Sequence, residues 1–387
     1  MIQKADRLNE VKEYYFSKKL REVAALKNEG RPIINIAIGS PDLAPPLNVI
    51  EAVNNAMQIP NVHQYQSYQG IPELREGIGK FYKDYYQVDL NPNNEILPLM
   101  GSKEGIMHIS MAFLNKGDQV LIPNPGYPTY ASVTKLVQAE PILYNLKEAT
   151  NWLPNLEEIE NQDLSKVKMM WINYPHMPTG AEATKEHFKK LIDFAKKYNI
   201  LIVNDNPYSF ILNDSPTSLL AVEGAKEVAV ELNSLSKSFN MAGWRVGMVV
   251  GNSKILKTIL QVKSNMDSGM FLGIQKGAVE ALNLTKDWFE KQNKIYKKRQ
   301  ALVWKIFDAL DCSYNKNIGG LFVWAKLPKG KSAEQFTDNL LYEKDVFITP
   351  GTVFGSNGEG YIRASLCVSE EVFKEVLERV TTVKSKL

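Results

Sequence analysis

Short apolar runs alternate with longer amphipathic stretches through the middle of the chain. The runs lie at 96–100, 119–123, 141–146, 167–174, 200–204, 228–233 and 245–250. Between two of them, residues 184–198 repeat apolar side chains at helical spacing, on the face formed by Phe188, Leu191, Ile192 and Ala195. Such alternation predicts an α/β fold whose mostly parallel sheet is sandwiched by helices. Ligands of these sheets bind at the carboxyl ends of the strands, so we expect the chemistry there.

The two ends of the chain follow a different pattern. Residues 10–29 have the spacing of an amphipathic helix, and a short apolar strand is predicted at 33–38. Near the other end, a long charged helix at about 285–310 precedes a strand–turn–strand pattern and a last helix. We therefore predict a large domain at 46–285 and a smaller α+β domain formed by 1–45 together with 286–387.

Composition narrows the class of protein. Of the 387 residues, 44% are hydrophobic and 23% charged, which is typical of a globular chain. The net charge of +3 indicates neither a nucleic-acid partner nor a membrane surface.

No signal peptide or membrane span is expected from the apolar runs. Only two cysteines occur, so we expect a reducing compartment, the cytoplasm. The four histidines and two cysteines lack metal-ligand spacing, and no metal is expected.

The most informative motif occupies residues 234–247, between two predicted strands. It reads S-x-S-K-x-x-x-x-x-G-x-R-x-G, with Lys237 as its lysine. A lysine in a tight turn can form a Schiff base, and the side chains of Ser234, Ser236 and Arg245 can bind a phosphate. A surface turn with a solvated lysine is the ordinary alternative for a lone lysine. A chance match to six residue types is on the order of 10⁻⁵ in this length.

This motif resembles the lysine signature of the class I and II aminotransferases, the fold-type-I pyridoxal-phosphate enzymes that include the aspartate and LL-diaminopimelate aminotransferases. The resemblance extends over nearly all of the chain. It implies that Lys237 binds the cofactor as an internal Schiff base, that Asp205 pairs with its pyridine nitrogen, and that Tyr208 donates to its 3-oxygen. A carboxylate in that place keeps the nitrogen protonated, so that the ring can accept electrons. Taken alone, Asp205 at a strand end would be a turn or capping residue.

The resemblance also implies how the rest of the cofactor is held. It assigns the phosphate to a set of small, hydroxyl and basic residues: Gly101, Ser102, Lys103, Ser234, Ser236 and Arg245. The first three open a predicted helix, where free N–H groups bind anions. Tyr127 would stack on the pyridine ring. Tyr65 would reach the phosphate of the neighbouring subunit, which implies a homodimer.

Three further residues match substrate-binding positions of the family. Arg363 matches the arginine that binds the substrate α-carboxylate, a task that suits its planar fork of donors. Without that context, a strand arginine is usually a solvent-facing charge. Gly39 matches a glycine whose backbone lines the substrate site, and Tyr14 matches an N-terminal tyrosine of the diaminopimelate branch through a short motif.

The chain departs from the family pattern at Met177. The segment 173–180 reads N-Y-P-H-M-P-T-G, with methionine where the family has an asparagine that donates to the cofactor's 3-oxygen. A thioether cannot donate a hydrogen bond. We hypothesise that the Schiff base of Lys237 is therefore more basic than it would be beside asparagine. The alternative is that Met177 only packs and that Tyr208 suffices at the 3-oxygen.

These matches predict a pyridoxal 5'-phosphate-dependent aminotransferase that moves an amino group between an L-amino acid and a 2-oxo acid with ping-pong kinetics. A lyase that cleaves a bond at Cβ with the same cofactor would share every residue named, so it stays the alternative. A non-catalytic cofactor-binding regulator is a third possibility. It would need an added DNA-binding module, and no basic winged segment precedes residue 30.

Overall fold

The protein is described here by a computed structural model that covers residues 2–11, 13 and 15–382. Within them, thirteen α-helices follow one another along the chain: α1 Tyr15–Asn28, α2 Leu47–Ala56, α3 Pro72–Tyr86, α4 Ser102–Phe113, α5 Pro128–Leu136, α6 Leu156–Glu160, α7 Lys185–Tyr198, α8 Ala225–Val228, α9 Ser253–Lys263, α10 Leu272–Leu282, α11 Lys286–Ala309, α12 Ala333–Lys344 and α13 Glu370–Thr381. None of the helices in this part of the chain has the length and apolar character that crossing a membrane requires.

Thirteen strands alternate with these helices in the same described residues: β1 Ile34–Asn35, β2 Ile96–Leu99, β3 Gln119–Asn124, β4 Glu140–Asn145, β5 Val167–Ile172, β6 Leu201–Asp205, β7 Ala229–Ser234, β8 Gly247–Gly251, β9 Ser313–Tyr314, β10 Phe322–Lys326, β11 Val346–Phe347, β12 Thr349–Pro350 and β13 Tyr361–Ser365. Seven of them form one sheet in the order β2-β8-β7-β6-β5-β3-β4. All neighbours in it are parallel except those of β8, which runs antiparallel to β2 and β7. The predicted α/β fold with a mostly parallel sheet is confirmed.

The large sheet is buried on both faces, which explains its continuous apolar strands. Successive side chains of a strand point to opposite faces. Ile202 accordingly packs with residues of α3, α7 and α10, whereas Val203 packs with residues of α4, α5 and α9. Helix α7 is fixed at its start by a capping box, in which Thr184 Oγ1 accepts from the backbone N–H of His187 and the His187 ring accepts from that of Thr184.

The strand register brings one end of many strands to a single edge of the sheet. Along that edge Leu99 of β2 pairs with Gly247 of β8, and Gly247 pairs with Ser234 of β7. Asp205 of β6 pairs with Leu232 of β7. Each of these paired residues lies at or near a strand end. The residues one to five places before or after them in the chain therefore come close together in space, although they are up to about 140 residues apart in sequence.

The chain ends combine in a second, smaller assembly. Strands β12, β13, β10 and β9 form an antiparallel sheet in that order, and β1 pairs in parallel with β11. Only Ile34 and Asn35 of the predicted strand 33–38 are strand, since β11 offers two partners. The predicted helix at 10–29 is shorter, with α1 at Tyr15–Asn28. The exact domain boundaries stay a prediction.

Candidate active site

A cavity of about 690 Å³ lies at the edge where the strand ends meet. It is lined by most of the residues that the sequence predicts for the site: Gly39, Ser102, Lys103, Tyr127, Asp205, Tyr208, Ser234, Ser236, Lys237, Arg245 and Arg363. A larger crevice of about 1050 Å³ lies elsewhere and contains none of them. We take the smaller cavity as the site, because it combines a buried lysine, a buried carboxyl group and a buried arginine.

Lys237 follows β7 directly, in the turn that begins at Leu235. Its Nζ donates to the backbone oxygen of Gly39 at 2.5 Å. Burial lowers the pKa of Lys237 below its ordinary value, because the charged ammonium loses hydration that its neighbours only partly replace. An amine with a lowered pKa is a better nucleophile and a better base near neutral pH.

Asp205, the last residue of β6, is buried and faces the same cavity as Lys237. Its Oδ2 accepts from the Tyr130 hydroxyl at 2.9 Å, whereas its buried Oδ1 has no hydrogen-bond partner among the described residues. Burial raises the pKa of Asp205 to about 6. A buried carboxyl oxygen without a donor is costly, so this atom suits a ligand that brings an N–H group.

Two residues that sequence reasoning missed hold Asp205 in place. Tyr130, in the first turn of α5, bonds its side chain and stacks on Trp171 at 4.9 Å between ring centroids. The Asn173 amide donates to the Asp205 backbone oxygen at 2.5 Å. The only local signal for Tyr130 was its place one helical turn after Tyr127.

Hydroxyl, guanidinium and backbone N–H groups converge at another end of the cavity. Ser234 Oγ donates to Ser236 Oγ at 2.8 Å, and Arg245 Nη1 donates to Ser236 Oγ at 3.4 Å. Gly101 precedes α4 with a φ of +91°, and a Cβ there would lie 2.0 Å from the Arg245 guanidinium. A glycine is required here, and it lets the start of α4 and Arg245 approach one anion together.

The pyridoxal-phosphate fit can be tested on these groups. The unpartnered Oδ1 of Asp205 matches a ring N–H, and the convergence of Arg245, the serines and the start of α4 matches a phosphate. Tyr208 is buried, and burial raises its pKa well above the ordinary value, so it stays a neutral O–H donor. Tyr127 lines the cavity with its ring edge-on to Tyr130, at 5.5 Å. These residues fit the cofactor.

Arg363, in β13, is buried between aromatic rings. Its guanidinium carbon lies 3.9 Å from the ring centre of Phe322 and 4.6 Å from that of Phe354. Nη2 donates to the backbone oxygen of Ala37 at 2.7 Å, and Nη1 lies 3.3 Å from the Met177 sulfur. A guanidinium held this way offers its donor edge to a carboxylate in a site from which water is largely removed.

Two predicted residues in the described part of the chain, Gly101 and Tyr65, are not among those that line this cavity. Tyr65 is 90% exposed and does not reach the site of its own chain. Tyr14 lies outside the described residues. The segments around Tyr65 and around Gly269 pack together, since Lys263 Nζ donates to the Tyr68 backbone oxygen at 2.9 Å.

Comparisons with known proteins agree with this geometry. Residues 31–380 match the family model for aminotransferase class I and II. The LL-diaminopimelate aminotransferase of Halothermothrix orenii is 40% identical over 381 residues, 98% of each chain. That of Aquifex aeolicus is 39% identical over 386 residues, 99% of this chain and all of the other. The substrate-bound structure of BacF from Bacillus subtilis is 35% identical, with a TM-score of 0.95 over 98% of each chain.

Proposed function

The chain belongs to the class I and II aminotransferase family, and from that premise we propose how its own residues move an amino group between an L-amino acid and a 2-oxo acid. The family, the enzyme class and the cofactor pyridoxal 5'-phosphate are as the sequence predicted. When bound, that cofactor supplies an aldehyde carbon for the amino group and a ring that takes up electrons. The roles below are proposals for individual side chains.

Lys237 holds the cofactor and then serves as the base. Once the substrate amine has taken its place, Nζ is free to take the proton from the substrate Cα and to return it later. The lowered pKa of Lys237 supports this role, because it enlarges the uncharged fraction of the amine, and only the uncharged amine can accept a proton. Asp205 keeps the ring nitrogen protonated through Oδ1 while Tyr130 holds Oδ2.

We place the substrate α-carboxylate at Arg363, which lines the same cavity as Lys237. Lys237 contacts the backbone oxygen of Gly39, and Arg363 contacts that of Ala37. Two residues of chain span at most about 7 Å, so the two side chains end close together. The carboxylate of an amino acid is bonded to the Cα whose proton Lys237 removes. The segment 37–39 therefore holds the base and the carboxylate receptor near one another in one cavity.

One observation carries the proposal most directly. The buried Oδ1 of Asp205, without a hydrogen-bond partner in the described part of the chain, shares one cavity with Lys237 and Arg363. Electron withdrawal, proton transfer and carboxylate binding need these three groups in one site. Had Asp205 and Lys237 lain in separate cavities, the proposal would have to be abandoned.

A second copy of the chain completes the site in this proposal. Tyr65 is the family position that reaches a neighbouring phosphate, and its 90% exposure leaves it available for that contact. Large apolar side chains are exposed on the same segments, among them Tyr68, Met266 and Phe271. Exposed apolar groups of this kind mark protein interfaces. We assign this face to a homodimer, and we expect it to work in the cytoplasm, where the free thiols of Cys312 and Cys367 persist.

The proposal is tested by Lys237→Ala. We expect the holoenzyme to lose turnover and its visible absorbance, and borohydride reduction to fix the cofactor to the peptide with Lys237 only in the wild type. The matched control is Lys257→Ala, which changes an exposed lysine of α9. An intact visible band in Lys237→Ala would refute the assignment. Release of ammonia and pyruvate without a 2-oxo acid acceptor would identify the lyase instead.

A further inference from the structure

We infer that the preferred substrates carry an uncharged, apolar side chain about the size of leucine, methionine or phenylalanine, rather than a second charged end like that of diaminopimelate. The inference rests on the proposed function, because it concerns the walls that remain once the cofactor and the α-carboxylate have been assigned. These walls are formed by α1, by the segment after β1, and by two aromatic side chains of the C-terminal region.

The charged side chains that line the cavity are already assigned to the cofactor or to the substrate α-carboxylate. Among the described residues, five charged ones line it: Lys103, Asp205, Lys237, Arg245 and Arg363. Asp205 is the one acid among these lining residues, and its two oxygens face Tyr130 and the cofactor position. No carboxylate in the described lining is left to receive a distal ammonium. The segment 65–70 that a second copy would contribute reads Y-Q-S-Y-Q-G and has no acid either.

Apolar side chains form the wall on the substrate side of Arg363. Phe16 and Leu20 come from α1, and their spacing of four residues puts them on one face of that helix. Phe16 is buried, and its ring centre lies 5.7 Å from the Arg363 guanidinium. Phe322 and Phe354 cover the same guanidinium. A substrate whose carboxylate binds Arg363 would therefore meet these rings beside its carboxylate and the hydrocarbon of Leu20 in the same cavity.

Among the polar side chains of α1, Ser17 lines the cavity and donates to Glu13 at 2.9 Å, whereas Lys19 and Arg21 pair with acidic residues that do not line it. Lys19 Nζ lies 2.8 Å from Asp338 and 3.0 Å from Glu22, so its charge is matched within the small domain. Arg21 pairs with Glu13 at 2.5 Å. Helix α1 therefore presents two apolar side chains and one hydroxyl to the cavity, from Phe16, Leu20 and Ser17, and it directs the charge of Lys19 to α12. Its orientation is set by Phe16 and Val23, which pack with Leu341 and Phe347.

Met177 extends the apolar wall to the position where the family has an amide. Its sulfur contacts Arg363 Nη1, and its side chain packs in the same cluster as Phe322 and Phe354. An amide there would bring a donor and an acceptor that need partners, whereas a thioether needs none. Like the aromatic rings, Met177 therefore makes the cavity wall beside the substrate less polar than the family pattern would.

An ionised end group entering this wall would lose water without gaining an opposite charge, which is unfavourable for either an ammonium or a carboxylate. The transfer of an apolar side chain from water to this hydrocarbon wall would instead be favourable. In a hydrophobic pocket, two substrates that differ by one methylene group differ roughly 10–200-fold in kcat/KM. For a complete charged end group we therefore expect at least ~100-fold.

The test uses the holoenzyme and the first half-reaction, which needs no acceptor. The cofactor absorbance is followed by stopped flow after mixing with L-leucine, L-methionine, L-phenylalanine, L-aspartate, L-lysine or LL-diaminopimelate. We expect second-order rate constants for the first three to exceed those for the charged donors by ~100-fold or more. A constant for aspartate, lysine or diaminopimelate equal to or above that of the apolar donors overturns the inference. If no donor changes the absorbance, it is the proposed function that fails.

A pair of variants on one helix tests the wall itself. Leu20→Glu places a carboxylate at the mouth of the cavity, where Leu20 is 37% exposed. We expect the rate constant for leucine to fall at least ~10-fold and the ratio of lysine to leucine to rise. Ala25→Glu adds the same charge to an exposed position of α1 that does not line the cavity, and it should alter neither value. An equal effect of both variants, or a uniform fall for all donors, contradicts the inference.

Discussion

The carboxyl group of Asp205 has one oxygen bonded to the Tyr130 hydroxyl and a second, buried oxygen without a hydrogen-bond partner among the described residues. Desolvation dominates its surroundings and raises its pKa to about 6. The unfolded chain, in contrast, ionises this carboxyl near its ordinary value of 3.8. At neutral pH the cofactor-free protein therefore keeps a charge buried at a cost to stability, and a cationic ring partner offsets that cost.

Asp205→Asn should stabilise the cofactor-free protein at neutral pH. Below about pH 4 both states are protonated and the two proteins should match. Between about pH 4 and 6 the unfolded chain has lost the proton that the folded protein still holds, so the wild type should lose up to ~3 kcal/mol relative to the variant, and the difference should level off above pH 6. Denaturant unfolding between pH 4 and 7.5 measures the difference, with the exposed Asp193→Asn as control. A difference independent of pH would contradict the raised pKa.

At the scale of elements, a buried ion pair ties α9 to the segment that precedes α10. Lys263 and Asp267 lie 2.9 Å apart, with side chains only 3% and 4% exposed. Lys263 also donates to the backbone oxygen of Tyr68, and Asp267 accepts from the N–H of Gly269. The pair thus positions two chain segments on the face that we assign to the second subunit. Glu104 and His108 of α4 lie beside Asp267, so α4 joins this polar cluster.

Removing one partner of this pair should be more harmful than removing both charges. Lys263→Met leaves the Asp267 carboxylate buried without its cation, and we expect a loss of about 3–5 kcal/mol in the free energy of unfolding. The double variant Lys263→Met/Asp267→Asn should recover most of that loss. Chemical denaturation checks this, with Lys254→Met on the exposed side of α9 as control. A double variant no more stable than Lys263→Met would contradict the prediction that the unpaired Asp267 carboxylate causes the loss.

For the whole molecule, each site in our proposal is built from two copies of the chain. The residues that we assign to the cofactor ring and the substrate line one cavity of one chain, whereas Tyr65 is exposed and is not among the residues that line it. A two-fold symmetric dimer would make both contacts reciprocal. Each active site would then use Lys237 of one subunit and Tyr65 of the other.

Mixed dimers distinguish this arrangement from one in which Tyr65 serves its own subunit. Lys237→Ala and Tyr65→Ala are each expected to have little activity. Unfolded together and reassembled, they should regain about one quarter of wild-type activity, since half of the dimers are mixed and one of their two sites is intact. The control is each variant unfolded and reassembled alone by the same procedure. No regain above the Tyr65→Ala activity would place Tyr65 in its own subunit's site.

The sequence by itself determined the family, the cofactor and the alternation of strands and helices, because these depend on local patterns. The spacing of two serines, a lysine and an arginine at 234–245 is one such pattern, and the apolar runs of the sheet are another. Only the tertiary structure decided what surrounds the substrate. Phe16, Phe322 and Phe354 meet around Arg363, and Tyr130 meets Asp205, through contacts between distant parts of the chain. No local periodicity encodes such contacts, since they arise from how β13, α1 and the edge of the large sheet pack against one another.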